Sequence, residues 1–293
     1  MTQQQALTLL EQYNRELLRT EGRAITRINS ALDSSYKALE TKLKQSYNNY
    51  QSLALLPNQQ RAVILADLGE LLKVVDPAFE GQVDNLLKQA IAQGEDVARG
   101  LVSALAPDSF VRQFNSVPIG ALRVASTQSY QLMLRHGLEF ADRSTALIQQ
   151  SLIQGWGTQK LARELRNELG ILKFRAETIA RTETIRALNQ AALSRYDRTG
   201  VEFVQLVAVG KNSCPLCLGR NGGIYRRPEP RIFPFHPRCR CYLMPYKRDW
   251  DSDPAFMENY RLEQLKKEKV APDMGATYWE KQAGWSAPER IKF

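Results

Sequence analysis

The sequence predicts an α+β protein: a predominantly helical, bundle-like body with long N-terminal helices, then a small β-containing zinc module and an extended C-terminal tail. Three observations carry this. Up to about residue 198, apolar residues recur every three or four positions. From Val201 to Val209 they alternate instead. All four cysteines then fall between Cys214 and Cys241, beside His236, one of only 2 histidines.

Ile25, Ile28, Leu32, Tyr36, Leu39, Leu43, Tyr47 and Tyr50 lie on one stripe of a long first helix. The stripe is close to a heptad, and an ordinary bundle face is favoured over a coiled-coil seam. Pro57 disfavours helix at the residue before it and ends the pattern. A second helical stretch runs over 59–74. Asp76-Pro77 reads as a fresh helix start, since proline loses nothing in a first turn, and the pattern continues toward Leu105. Residues 107–118 read as a loop between two prolines, followed by helices over 119–135 and 138–152. His136, before Gly137, then sits at a helix C-terminus, where a cationic side chain is welcome.

Residues 155–158 form a turn, with Thr158 as N-cap of a helix over 160–169. The next helix covers 174–196 and contains Arg181-Thr182-Glu183. Glu177/Arg181 and Glu183/Arg186 are spaced to pair along it. Gly200 stops this helix, and Val201, Phe203, Gln205, Val207 and Val209 read as a strand. The expected organisation is a helical region over 1–118, a helical core over 119–200, a β/zinc module over 201–246 and a tail over 247–293. The tail carries a short helix near Met257–Glu268, and its aromatics Tyr278, Trp279, Trp285 and Phe293 read as docking anchors.

Composition bounds the function classes. The net charge is +9 with a pI near 9.4, compatible with a phosphate-rich neighbour, although the basic residues are spread along the chain. No run approaches the roughly 18 to 20 apolar residues of a membrane span. The N-terminal stretch lacks the basic-then-apolar order of a secretory signal, so a reducing cytoplasm is the expected compartment.

Cys214-Pro215-Leu216-Cys217 and His236-Pro237-Arg238-Cys239-Arg240-Cys241 together offer five N/S donors. A tetrahedral zinc ion takes four, at roughly 2.0–2.3 Å. Cys214 and Cys217 are the firm pair. His236 with Cys239 is favoured as the second, with Cys241 close behind. On the expectation that an extended stretch keeps Cys239 and Cys241 from ligating together, a turn at Pro237 would relax the objection. Disulfides would need an oxidising compartment. A redox Cys-x-x-Cys would open a helix, whereas Pro215 and Gly219 indicate a loop. Catalytic zinc would need a water position and a nearby acid or base. Arg226, Arg227, Arg231, Arg238 and Arg240 gather on the module as candidate contacts for phosphates or an acidic partner. No Ser/His/Asp set or phosphate-cradling loop accompanies them.

The run Ala180-Arg181-Thr182-Glu183-Thr184-Ile185-Arg186-Ala187-Leu188-Asn189-Gln190-Ala191, then Tyr196, Gly200 and the Cys/His module, resembles the phage Mu F-like minor head proteins, also called phage head morphogenesis proteins. The likeness spans roughly 140–246, including an Asn221–Tyr225 hairpin and Pro245. Family members often carry an aspartate just before the first cysteine, where this chain has Lys211-Asn212-Ser213. The resemblance implies a non-enzymatic structural and assembly factor of the virion head, made in the host cytoplasm. Its implied partners are portal protein, major capsid protein, other head or neck proteins and packaged double-stranded DNA, with several copies per virion and no membrane. It also implies that the module's fold survives loss of individual cysteines. The competing readings are a zinc-stabilised nucleic-acid-binding accessory protein and a metal-dependent nucleic-acid enzyme.

Overall fold

The computed structural model describes residues 3–50, 58–105, 119–154, 156, 158–209, 213–227, 234–247 and 255–267. Four long helices come first: α1 (Gln3–Tyr50), α2 (Asn58–Leu105), α3 (Ile119–Gln154) and α4 (Thr158–Arg198). Then follow β1 (Phe203–Ala208), α5 (Pro215–Arg220), β2 (Ile224–Arg226), β3 (Cys241–Tyr246) and α6 (Phe256–Lys267). This is the α+β arrangement expected, with longer helices than the sequence suggests. α2 runs unbroken through Pro77, α3 through Gly137 and α4 through Gly170. A proline in a helix interior deletes one donor, and a glycine costs about 1 kcal/mol against alanine. Each is a cost that the continuous helix nevertheless carries. His136 therefore lies inside α3, not at a helix end. There its Nδ1 is 3.1 Å from the Arg175 guanidinium and 3.4 Å from the Glu139 carboxylate.

The chain packs as two compact units, each drawn from separate stretches of sequence. One comprises 21–86 and 126–180. In it Ile25, Ile28, Leu32, Tyr36 and Leu39 are all buried, so the sequence stripe is a packed bundle face. Ala24 and Ile25 meet Leu86 and Ala180 in its core. The Tyr36 hydroxyl donates to the Ala162 carbonyl at 2.9 Å, Arg166 pairs with Glu40 at 2.8 Å, and Lys173 pairs with Asp33. The side chains of Leu43, Tyr47 and Tyr50 lie outside the described residues.

The other unit comprises 1–20, 87–125 and 181–293 and holds the sheet. Its strand order is β2-β1-β3, antiparallel throughout. β1 is central, pairing Gln205 with Ile224 on one side and with Met244 on the other. Every residue of β3 is buried, which is why it reads as a continuous apolar run. α4 hands over to β1 through a Schellman closure: Val201 N–H donates to Tyr196 O at 2.9 Å and Gly200 N–H to Asp197 O at 3.2 Å. Gly200 has φ 69°, which a side chain would strain. The turn over Asn221 and Gly222 leads from α5 into β2, so it is not the two-strand hairpin expected of it. It still extends the sheet, because Asn221 Oδ1 accepts from Ala208 N–H at 2.9 Å and Gly222 N–H donates to Leu206 O at 2.8 Å.

The helices close around this sheet. Tyr242 donates its hydroxyl to Asn14 Oδ1 of α1 at 3.1 Å. Glu95 of α2 is buried between Arg195 at 3.4 Å and Arg198 at 2.6 Å, both from α4. The Glu95 charge is thus buried with partners, the condition under which burial is tolerated.

Candidate metal centre

The first half of the centre is built by α5. Proline at its first position has no N–H to orphan, and Cys214 caps it with extended backbone (φ −71°, ψ 160°). The Cys214 sulfur accepts the Cys217 N–H at 3.4 Å. Cys-x-x-Cys therefore opens a short helix, where Pro215 and Gly219 had suggested a loop; six residues are enough once the first turn is capped. Arg220, at the far end of α5, is buried and lays its guanidinium 4.7 Å from the Phe235 ring centre. That contact presses the segment before His236 against α5.

The second half is a tight turn followed by a strand. Cys239 N–H donates to His236 O at 3.2 Å, and Arg238 adopts a left-handed backbone with φ 61°. For a residue with a Cβ this costs on the order of 1–2 kcal/mol, so something outside the turn must hold it. β3 begins only at Cys241, which leaves Cys239 in the turn. Residues two apart in a strand lie on the same face, so the sequence-based objection to Cys239 and Cys241 ligating together was mistaken in any case.

Five donors converge. His236 Nε2 lies 3.1 Å from Cys214 Sγ and 3.0 Å from Cys217 Sγ, while Cys217 Sγ lies 3.7 Å from Cys239 Sγ. They form two overlapping triads, Cys214/Cys217/His236 and Cys217/Cys239/Cys241, each with its ligand atoms within 4.8 Å of one another. Cys217 belongs to both. Two sulfurs on a tetrahedral ion at about 2.3 Å stand about 3.8 Å apart, so the Cys217–Cys239 spacing suits a shared ion. His236 Nδ1 faces Pro237 O at 2.7 Å, which places the proton on Nδ1 and turns Nε2 toward the sulfurs. The donor set fits a soft, four-coordinate metal ion and could hold one.

The electrostatics divide the thiols. A hydrogen bond from Cys217 and one from His236 hold Cys214 down to about 4, against the effect of burial. Contacts with Cys217 and Cys241 likewise draw Cys239 well below the ordinary thiol value. Cys217 is pushed up by its hydrogen bonds to Cys214 and Cys239 and by burial. In Cys241 the bond to Cys217 works downward, but Cys239 and burial prevail and raise it. His236 is opposed by burial, yet Cys214 and Cys239 raise it to about 10. Thiolates are thus already favoured at two positions, and an incoming cation would displace protons from Cys217 and His236.

The Arg181–Glu183 motif sits beside this centre in the same unit. Arg181 O accepts from the Arg240 guanidinium at 3.3 Å, and Thr182 Oγ1 accepts from Arg238 N–H at 3.0 Å. Glu183 is buried and paired with Arg186 as its spacing foretold. Two further α4 residues reach β3. Asn189 donates to Cys241 O at 2.9 Å and accepts from Leu243 N–H at 3.1 Å, and the Tyr196 hydroxyl donates to Leu243 O at 2.9 Å. Residue-type reasoning gave Asn189 no role. Its only signal was position, seven residues after Thr182 and seven before Tyr196 on one helix face.

Of the basic candidates, Arg226 pairs with Glu202 at 3.4 Å and Arg227 with Asp197 at 2.6 Å. Arg238 and Arg240 contribute the α4 contacts just described. Arg231 and the tail aromatics Tyr278, Trp279, Trp285 and Phe293 lie outside the described residues, and only α6 of the tail falls within them. Among the described residues no helix is long and apolar enough to cross a membrane.

Residues 144–244, about a third of the chain, match the family described as phage Mu protein F like protein. The match spans α4, all five metal donors and the sheet up to Met244 of β3. A search of curated proteins and a search of solved structures each found no match.

Proposed function

We propose, on the premise that residues 144–244 form a phage Mu protein F-like domain, that this chain is a minor head protein of a bacteriophage. It acts as a non-enzymatic assembly factor between portal and capsid shell during head morphogenesis. The observation that carries the reading is that α4 and the Cys/His centre, the two motifs of the resemblance, are joined by direct hydrogen bonds inside one compact unit. The ion is zinc: thiolate and imidazole donors in a tetrahedral cluster select it over hard cations. With four donors supplied by the protein, it serves as a staple and needs no water position.

The test is a phage lacking this chain. The reading expects aberrant or DNA-free heads, restored when the chain is supplied in trans. Normal yields of filled heads without it would overturn the reading.

A further inference from the structure

Two features of the centre are unexplained by the ligands themselves. Arg238 holds a left-handed conformation between His236 and Cys239. β3 is an edge strand of the three-stranded sheet, yet it is buried along its whole length. Both are met by α4. Thr182 takes up the Arg238 N–H, and Asn189 takes up Leu243 N–H while donating to Cys241 O. The Asn189 amide thereby presents to β3 the same donor–acceptor pair that a neighbouring strand would present. The stretch Cys239–Cys241 is thus pinned just before its first cysteine and at its second.

We infer that α4 presets the second half of the metal centre, with Thr182 and Asn189 as positioning residues that set metal affinity without touching the ion. The inference rests on the reading of the Cys/His cluster as a metal centre. Losing the Thr182 contact removes a hold on the left-handed Arg238 from outside its turn, and an extended chain there would shift Cys239 relative to Cys217. Without Asn189 the Cys241 carbonyl and the Leu243 amide lose their partners, and the start of β3 is free to shift. Such outer contacts to metal sites typically change affinity by about 10- to 100-fold. The same geometry accounts for the pairing of the helix motif with the cysteine motif: one is the template on which the other forms.

The experiment uses the full chain and zinc itself, with affinity from chelator competition and site geometry from the absorption of the cobalt-substituted protein. Thr182→Val keeps the side chain's shape and removes the acceptor. It should weaken zinc binding about 10-fold or more and shift the cobalt bands, while Thr182→Ser restores both. Asn189→Asp keeps an acceptor for Leu243 N–H, sets a carboxylate against Cys241 O, and should weaken zinc comparably. Tyr196→Phe is the control for a purely structural role, since it cuts an α4–β3 hydrogen bond two residues beyond Cys241. It should lower thermal stability and leave zinc affinity unchanged. Wild-type affinity in both Thr182→Val and Asn189→Asp, or equal weakening in Tyr196→Phe, would overturn the positioning role. A wild-type chain that takes up no zinc would overturn the metal reading and this one with it.

Discussion

At the scale of single residues, close approach and burial decide more than residue type does. Gly94 of α2 faces α4, where an added Cβ would stand 2.3 Å from Leu188 O and 3.0 Å from Ala191 Cβ. A backbone oxygen cannot give way as a flexible side chain can. Gly94→Ala is therefore expected to destabilise the protein by about 1–3 kcal/mol, read from denaturant unfolding, despite alanine's better helix propensity. Glu183 gives a pH-dependent test. Burial raises its carboxyl above the ordinary 4.5, and Arg186 offsets this only in part. The folded state then binds more protons than the unfolded one above pH 4.5, so stability falls as pH rises through that window. Glu183→Gln removes the effect, and its stability relative to wild type should improve from pH 4.5 toward neutrality, measured in chelator. A difference that shrinks with rising pH would show that the Arg186 pair dominates instead. Neither residue announces this in sequence, because packing partners 94 and 188 are joined only by the fold.

At the scale of elements, periodicity located every long helix but not its length. The helix start expected at Asp76-Pro77 and the gaps expected at 136–137 and 170–173 are absent, because α2, α3 and α4 each run through them. The Gly200 stop was legible, since a Schellman closure needs a residue tolerant of positive φ at one position. The Cys/His centre was legible as a cluster, and its ligand choice was not. That depends on the left-handed Arg238 and on contacts from α4, both invisible in spacing. Cys217 belongs to both triads, so Cys217→Ser should abolish metal binding outright in an elemental analysis of the purified chain. Retention of one ion per chain in that variant would show that the triads act separately. Cys217 and His236 are both raised and must lose protons to bind. Metal affinity should therefore climb with pH, at least 10-fold between pH 6 and 8 by competition. A pH-independent affinity would mean the ion does not engage them.

At the scale of the molecule, charge and recognition part company. The +9 balance suggested a phosphate-rich neighbour, yet Arg226 and Arg227 of the module already pair with Glu202 and Asp197. What the fold does supply is a compact unit in which a Cys/His cluster that could hold a metal ion is hydrogen-bonded to a long helix. The central claim is membership of the head, and its most direct test is quantitative mass spectrometry of purified heads from the phage that encodes this chain. The account predicts the chain at a fixed ratio to the portal protein, unchanged by high-salt washing. Its absence from purified heads, or loss on washing, would contradict the account.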